Sequence, residues 1–316
     1  PMMDWTDRHC RYLHRLLVPD ALLYTEMVHS AAIVRGDTRR LLDRGEVAGP
    51  VALQLGGCEP VEMAAAAKLG EDFGYDAVNI NVGCPSDRVQ SGRFGACLMA
   101  HPAVVAECVS AMADRVSIPV TIKTRIGIDD QDSDEFLDAF VAATAAAGCR
   151  RFVVHARIAL LAGLSPKQNR EIPPLNYARV YRLKKRYPHL HVVVNGGIAD
   201  VESVVGHLER VDGVMIGREA YHNPIFLGVL AAHLTSQSAP PDRAGVFGAY
   251  VAYADRQLSL GIPLRAVARH TLGLFQGQPG VRRFRRILGE GMQRKDAGVD
   301  LMWQALEAAR GFASTG

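Results

Sequence analysis

Seven short apolar runs recur along the chain, each closing on polar residues or glycine and each followed by a helix-like stretch. They are Leu22-Leu23-Tyr24, Val51-Ala52-Leu53-Gln54-Leu55, residues 77–82, Val120-Thr121-Ile122-Lys123, Phe152-Val153-Val154-His155, Val192-Val193-Val194-Asn195 and Val214-Met215-Ile216-Gly217. Runs this short and this continuously apolar suit strands buried on both faces, as in a parallel sheet covered by helices. The segments 60–73, 102–113, 133–147, 177–186 and 201–208 space their apolar residues by three and four, the period of an amphipathic helix. A further strand is expected before Pro1, ahead of Trp5-Thr6-Asp7, where Asp or Thr caps a helix. Eight strands alternating with helices predict an α/β chain folded as a (β/α)8 TIM barrel. A doubly wound open sheet is the runner-up. It is disfavoured because no Gly-x-Gly-x-x-Gly follows any strand.

Beyond residue 235 the alternation stops. Ser-Gln-Ser-Ala-Pro-Pro-Asp-Arg at 236–243 reads as a linker, and the segments 246–258, 264–275, 281–289 and 301–309 read as helices with no strand between them. The predicted division is a barrel over 1–235, a linker over 236–243 and a smaller all-α domain over 244–316. A length of 316 residues accommodates it, since such barrels take roughly 250 residues.

Charge is unevenly spread over these parts. From Pro240 onward there are eleven Lys and Arg against six Asp and Glu, a local net of +5 within an overall +3. The basic excess therefore belongs to the C-terminal quarter, which points to a polyanionic partner there. Arg282-Arg283-Phe284-Arg285-Arg286 concentrates it on one predicted helix, with Arg282 and Arg286 a turn apart and Phe284 and Ile287 turned inward. A solvated helix face is the plain alternative. Lys167-Gln168-Asn169-Arg170, inside a long connection at 156–174, adds a second basic patch, and two such patches favour nucleic acid over a small anion. Cys10, Cys58, Cys84, Cys97, Cys108 and Cys149 form no Cys-x-x-Cys pair, so neither a disulfide framework nor a zinc site is expected. Free thiols fit a reducing, cytoplasmic setting. No apolar run approaches the ~20 residues of a membrane span.

The polar residues that close the apolar runs carry the chemistry. Gln54, Asn79, Asn81, Lys123, Arg125, His155, Arg157 and Asn195 stand at or just past strand ends. In a barrel those ends converge on one rim, where active sites lie. Asn195-Gly196-Gly197 and Gly217-Arg218 come after the last two strands, where glycines let backbone N–H groups approach a phosphate and an arginine supplies a bidentate partner. With no Walker or Rossmann motif, a mononucleotide such as FMN is the best candidate there. Lys123 would stabilise negative charge on a reduced flavin, and His155 would hydrogen-bond flavin or phosphate. Cys84, in Asn79-Ile80-Asn81-Val82-Gly83-Cys84-Pro85, sits where a strand breaks and the glycine-containing stretch 83–100 begins. Nucleophile, general acid and inert thiol all remain open for it from the residues alone.

In these motifs the chain closely resembles the tRNA-dihydrouridine synthases, and within them the bacterial A subgroup. The resemblance runs in order through nearly the whole chain. It rests on Pro1-Met2-Met3-Asp4-Trp5-Thr6-Asp7-Arg8-His9, Asn79-x-Asn81-x-Gly83-Cys84-Pro85-Ser86, Lys123-x-Arg125, His155-Ala156-Arg157, Gly163-Leu164-Ser165-Pro166-Lys167, Asn169-Arg170-Glu171-Ile172-Pro173-Pro174 and Asn195-Gly196-Gly197.

The resemblance implies an FMN barrel with a helical C-terminal domain that helps hold tRNA, reducing D-loop uridine, at positions 20 and 20a, to 5,6-dihydrouridine. Hydride would pass from reduced FMN to uracil C6 and a proton from Cys84 to C5, with NADPH re-reducing the flavin. It further implies that Pro1, Met2, Met3, Gln54, Lys123, His155, Asn195, Gly196, Gly197, Gly217 and Arg218 bind FMN. Asn81, Lys167, Arg170, Arg283 and Arg286 would contact tRNA. No metal is expected, and the enzyme is expected to be a cytoplasmic monomer. One departure stands out: Ile158-Ala159-Leu160 comes after Arg157 where the family often has a basic residue and a tryptophan. Two rival readings share parts of this pattern. They are an FMN barrel acting on a free pyrimidine or orotate, and a tRNA-binding factor without catalysis.

Overall fold

The computed structural model describes residues 1–235 and 241–310. Seven parallel strands are β1 (Leu23–His29), β2 (Val51–Gly56), β3 (Ala77–Val82), β4 (Val120–Arg125), β5 (Arg151–His155), β6 (His191–Asn195) and β7 (Gly213–Met215). They pair strictly in chain order, each strand beside the next. A doubly wound sheet reverses direction at an internal switch point; this sheet never does, and it is the curled sheet of a (β/α)8 barrel. The seven apolar runs each lie on one of these strands. β4 extends to Arg125, two residues past the apolar run, and β7 stops at Met215, before Gly217.

Helices Pro60–Asp72, Pro102–Ala113, Asp134–Ala146, Tyr177–Arg186 and Val201–Leu208 connect the strands, and the first three pack in succession against one another. The last three are capped by side chains: Ser133 Oγ accepts from Phe136 N, Asn176 Oδ1 from Arg179 N, and Asp200 Oδ1 from Ser203 N. One face of the strands is apolar and dry. Val78, Ile80, Val82, Ile122, Phe152, Val154, Val192 and Val194 are all buried there.

The stretch 83–100, expected as a glycine-rich connection, folds into a short helix, Asp87–Ser91, and a 3-10 segment, Gly95–Ala100. Helices Ser30–Arg35 and Thr38–Leu41 are likewise too short to show a period in the sequence.

The chain divides into two compact units. One takes Pro1–Met3, Leu22–Arg44 and Pro50–Gly217; the other takes Asp4–Ala21, Gly45–Gly49 and the chain from Arg218. Compactness thus divides the chain at points other than the 236–243 linker, of which residues 236–240 lie outside the described residues. The second unit is helical. Phe247, Tyr250, Tyr253, Phe284, Leu288, Met302 and Leu13 are among the side chains of its core. Its N-terminal helix, Arg8–Leu17, is capped by Asp7, whose Oδ1 accepts from His9 N and Cys10 N. The same carboxylate meets Arg269 Nη2 at 2.7 Å and His270 Nε2 at 3.0 Å. Burial pushes the Asp7 pKa up, but His270, the Cys10 N–H and Arg269 outweigh it and hold the carboxyl well below its usual range.

Candidate active site

Strand register brings the polar residues together within the first unit. Gln54 pairs with Asn79, Asn81 with Lys123, Arg125 with His155, and His155 with Asn195. Residues two apart on a strand share a face, so Asn79 and Asn81 stand on one side of β3, and Thr121, Lys123 and Arg125 on one side of β4. Hydrogen bonds confirm the common face. Gln54 Nε2 donates to Asn79 Oδ1 at 2.7 Å, Asn79 Nδ2 to Thr121 Oγ1 at 2.9 Å, and Asn81 Nδ2 to Gln54 Oε1 at 2.9 Å. Gln54 and Asn79 are fully enclosed, so this amide chain holds their rotamers by satisfying groups that water does not reach.

Asn81 also shapes the turn at the end of β3. Its Oδ1 accepts from Gly83 N and Cys84 N, each at 3.0 Å, which makes an Asx turn there. The Cys84 carbonyl accepts from Ala96 N at 2.9 Å, and the thiol lies 3.5 Å from Ser86 Oγ. Gly95 is required for that return contact: its φ is +81°, and a Cβ there would stand 2.5 Å from the Cys84 oxygen. Cys84 is half-buried, its backbone pinned at both N and O.

Lys123 supplies the charge. Burial first, and the Arg125 guanidinium second, lower its pKa from 10.5 to about 7, with Cys84 near enough to offset part of the fall. Among the described residues no carboxylate lies within salt-bridge distance of its ammonium. A half-buried cation without a carboxylate is suited to an anionic ligand. Arg125, buried, is spent on backbone: Nε donates to Gly83 O at 3.1 Å, and Nη1 to Ile158 O at 3.1 Å and Asn169 O at 3.0 Å. Burial lowers its pKa to about 10.

The rest of the rim comes from β5 and β6. Gly196 has φ +115°, and a Cβ on it would meet the His155 ring at 2.6 Å, so only glycine lets the backbone lie against that imidazole. Tyr177 Oη donates to Gly196 O at 2.5 Å, and Asn195 Nδ2 to Met215 O at 2.8 Å. Gly217 lies beside Met2, whose sulfur would stand 3.6 Å from an added Cβ. Pro1 and Met3 fall in the same unit, ahead of any helix or strand. An anionic ligand suits this donor set: an uncompensated lysine, two consecutive glycines at positive φ, and an imidazole at the rim. Among the described residues no group of three or more His, Cys, Asp or Glu is placed to hold a metal ion.

The long connection 156–174 is built around Asn169, a buried residue whose importance shows in the sequence only as a motif position. Its Oδ1 accepts from Leu160 N, and its Nδ2 donates to Leu160 O and Leu164 O. Ala159 bridges backbone to Gly127 and Asp129, so the Ile158-Ala159-Leu160 stretch serves mainly through its main chain. Arg157, which stands just past β5, donates to Glu171 O and Pro173 O. Lys167 and Arg170 are exposed on this loop.

The remaining predicted residues lie in the second unit. Arg218 opens the short helix Arg218–His222. Arg283 and Arg286 are exposed on helix Val281–Gly291, where Phe284 and Leu288 are buried and Ile287 is partly buried. With Arg282 and Gly280 these arginines line a cavity of about 410 Å³. Among the described residues no helix is long and apolar enough to cross a membrane.

Residues 1–310 match the family described as "Dihydrouridine synthase (Dus)". The chain is 54% identical over 307 residues to the tRNA-dihydrouridine(20/20a) synthase of Xanthomonas axonopodis pv. citri, covering 97% of this chain and 92% of that protein. The protein of the same name from Vibrio cholerae is 54% identical over 310 residues, covering 97% and 94%. That from Escherichia coli K12 is 54% identical over 312 residues, covering 97% and 89%.

Proposed function

The chain belongs to the dihydrouridine synthase family, and from that premise we propose that it reduces uridine of the tRNA D-loop, at positions 20 and 20a, to 5,6-dihydrouridine. The site would hold FMN, which, once reduced by NADPH, would supply hydride chemistry at uracil C6. The chain's own residues do the rest. Lys123 would set a cation against the negative charge of that group, and Gln54, His155, Asn195, the 196–197 glycines, Gly217 and the Pro1–Met3 segment would hold it; for Arg218, in the other unit, the same role rests on the family resemblance.

Addition at C6 leaves enolate character spread over C5 and the C4 oxygen, and the reaction closes when C5 takes a proton. Cys84 is the donor in this reading, its thiol delivered by the Asx turn at Asn81. The uracil has to leave the RNA stack to reach this rim, so a grip on the surrounding tRNA is needed. Lys167 and Arg170 on the long loop and Arg283 and Arg286 on the helical unit are the side chains assigned to it. The observation that carries the reading is the fixation of Cys84 at N and O just past the end of β3, where Asn81, which holds its N–H, is in register beside an uncompensated Lys123.

The test is reconstitution. Protein supplied with FMN and NADPH is incubated with D-loop-unmodified tRNA and, separately, with free uridine, and dihydrouridine is mapped by mass spectrometry. Conversion confined to tRNA supports the reading. Efficient turnover of the nucleoside points instead to a free-pyrimidine reductase, and protein that takes up no flavin points to a binding factor.

A further inference from the structure

Two carbonyls flank Cys84, and both are tied to the same distant loop. On one side Arg125 holds Gly83 O and continues to Ile158 O and Asn169 O. On the other side stands Gln90, in the short helix Asp87–Ser91. Its Nε2 donates to Pro85 O at 2.9 Å and to Leu161 O at 2.7 Å. A primary amide nitrogen carries two N–H groups, and here both are used, one on each loop. We propose that Gln90 is a positioning residue that straps the Cys84 segment to the 156–174 loop, so that engagement of Lys167 and Arg170 by RNA sets the place of the thiol.

The strap is short and specific. Leu161 is itself fixed, its N–H donating to Asp129 Oδ1 at 2.7 Å, and Leu160 beside it is clamped by Asn169. A displacement of the loop at Asn169 therefore reaches Pro85 through one side chain and Gly83 through another. Methionine at position 90 would fill the same space without a donor. Glutamate would turn an acceptor toward two carbonyl oxygens, replacing two attractions with two repulsions.

This inference rests on the reading of Cys84 as proton donor, but its first test does not. Hydrogen exchange is measured on the intact protein carrying Gln90→Met and Gln90→Glu, with flavin content as the check that the barrel is folded. Faster exchange is expected both at residues 83–96 and at residues 158–170, with the larger effect for Gln90→Glu. Exchange raised only at 83–96, or in neither segment, overturns the strap.

The second readout is kinetic. Both variants should lower kcat for tRNA by ten- to a hundred-fold, on the order of what a small misplacement of a reacting group costs, with KM for tRNA and the rate of flavin reduction by NADPH within about twofold of wild type. A rise in KM with kcat kept would make Gln90 an RNA contact and overturn the proposal. Wild-type protein that makes no dihydrouridine would defeat the functional reading instead, while the exchange result would still decide the strap.

Discussion

Replacing Lys123 by Met isolates the electrostatic cost that the site carries without its ligand. In the folded chain burial, then Arg125, lowers the Lys123 pKa from 10.5 to about 7, against the offset from Cys84. A lysine whose folded pKa is depressed binds a proton more readily when unfolded, so stability rises with pH between the two values. The penalty is fully present below about 7 and is relieved as pH climbs toward 10.5. At 1.36 kcal/mol per pKa unit the shift amounts to about 5 kcal/mol, an upper bound because local relaxation and water penetration reduce it. Methionine is close in volume and carries no charge. Flavin-free Lys123→Met should therefore be more stable than flavin-free wild type by a few kcal/mol at pH 6.5, with the gap closing by pH 10. Urea unfolding of both proteins across that range measures it. The same variant should retain less FMN, since the counter-charge is gone. A stability difference that stays flat with pH would refute the account of Lys123 as an uncompensated cation.

Other perturbations test separate parts of the structure. Asn81→Ala strips the partners from Gln54 Oε1, Gly83 N and Cys84 N, and should cost about 2–4 kcal/mol in thermal or denaturant unfolding, with faster alkylation of Cys84 as the local sign. Asp7→Asn leaves Arg269 and His270 without their carboxylate and should destabilise the protein by about 3–5 kcal/mol. Because the Asp7 pKa is depressed, its contribution is intact above the ordinary value of 3.8 and is lost as pH falls below it, so the variant should show a shallower acid decline in circular dichroism melts. Replacing Arg283 and Arg286 together by Ala should weaken tRNA binding and flatten its salt dependence by about one log–log unit for each phosphate contact removed, read by filter binding. FMN content should stay unchanged.

Much of the fold is legible because burial on both faces leaves a continuous apolar signature. Val78, Ile122, Phe152 and Val192 are enclosed on the helix-packed face, and each marks its strand. Asp7 acts as a cap where the residue types predict one, and Ser133, read as the first residue of its helix, caps it instead. The short helices 30–35 and 87–91 leave no period to read, because one turn of helix shows no repeat. The compact units are hidden for a different reason. Leu13 and Leu17 sit in a core with Tyr250 and Phe284, a pairing over more than two hundred residues that periodicity does not encode.

At the site, polar residues at strand ends are visible as a set, but their partners are not. Nothing in the order of residues says that Gln54 bridges Asn79 and Asn81, or that Arg125 is committed to three carbonyls. Asn169 and Gln90 read as ordinary loop polars until the hydrogen bonds of their amides are traced.

The central claim is that Cys84 delivers the proton that completes reduction of a tRNA uridine. Single-turnover assay of flavin-reduced Cys84→Ala with D-loop-unmodified tRNA addresses it most directly, with flavin content and tRNA affinity measured on the same preparation. Full flavin, unchanged affinity and dihydrouridine formation slowed by about 10²–10⁴-fold are expected, the usual worth of a positioned general acid. Formation at the wild-type rate, with both controls intact, would contradict the claim and move the proton donor elsewhere.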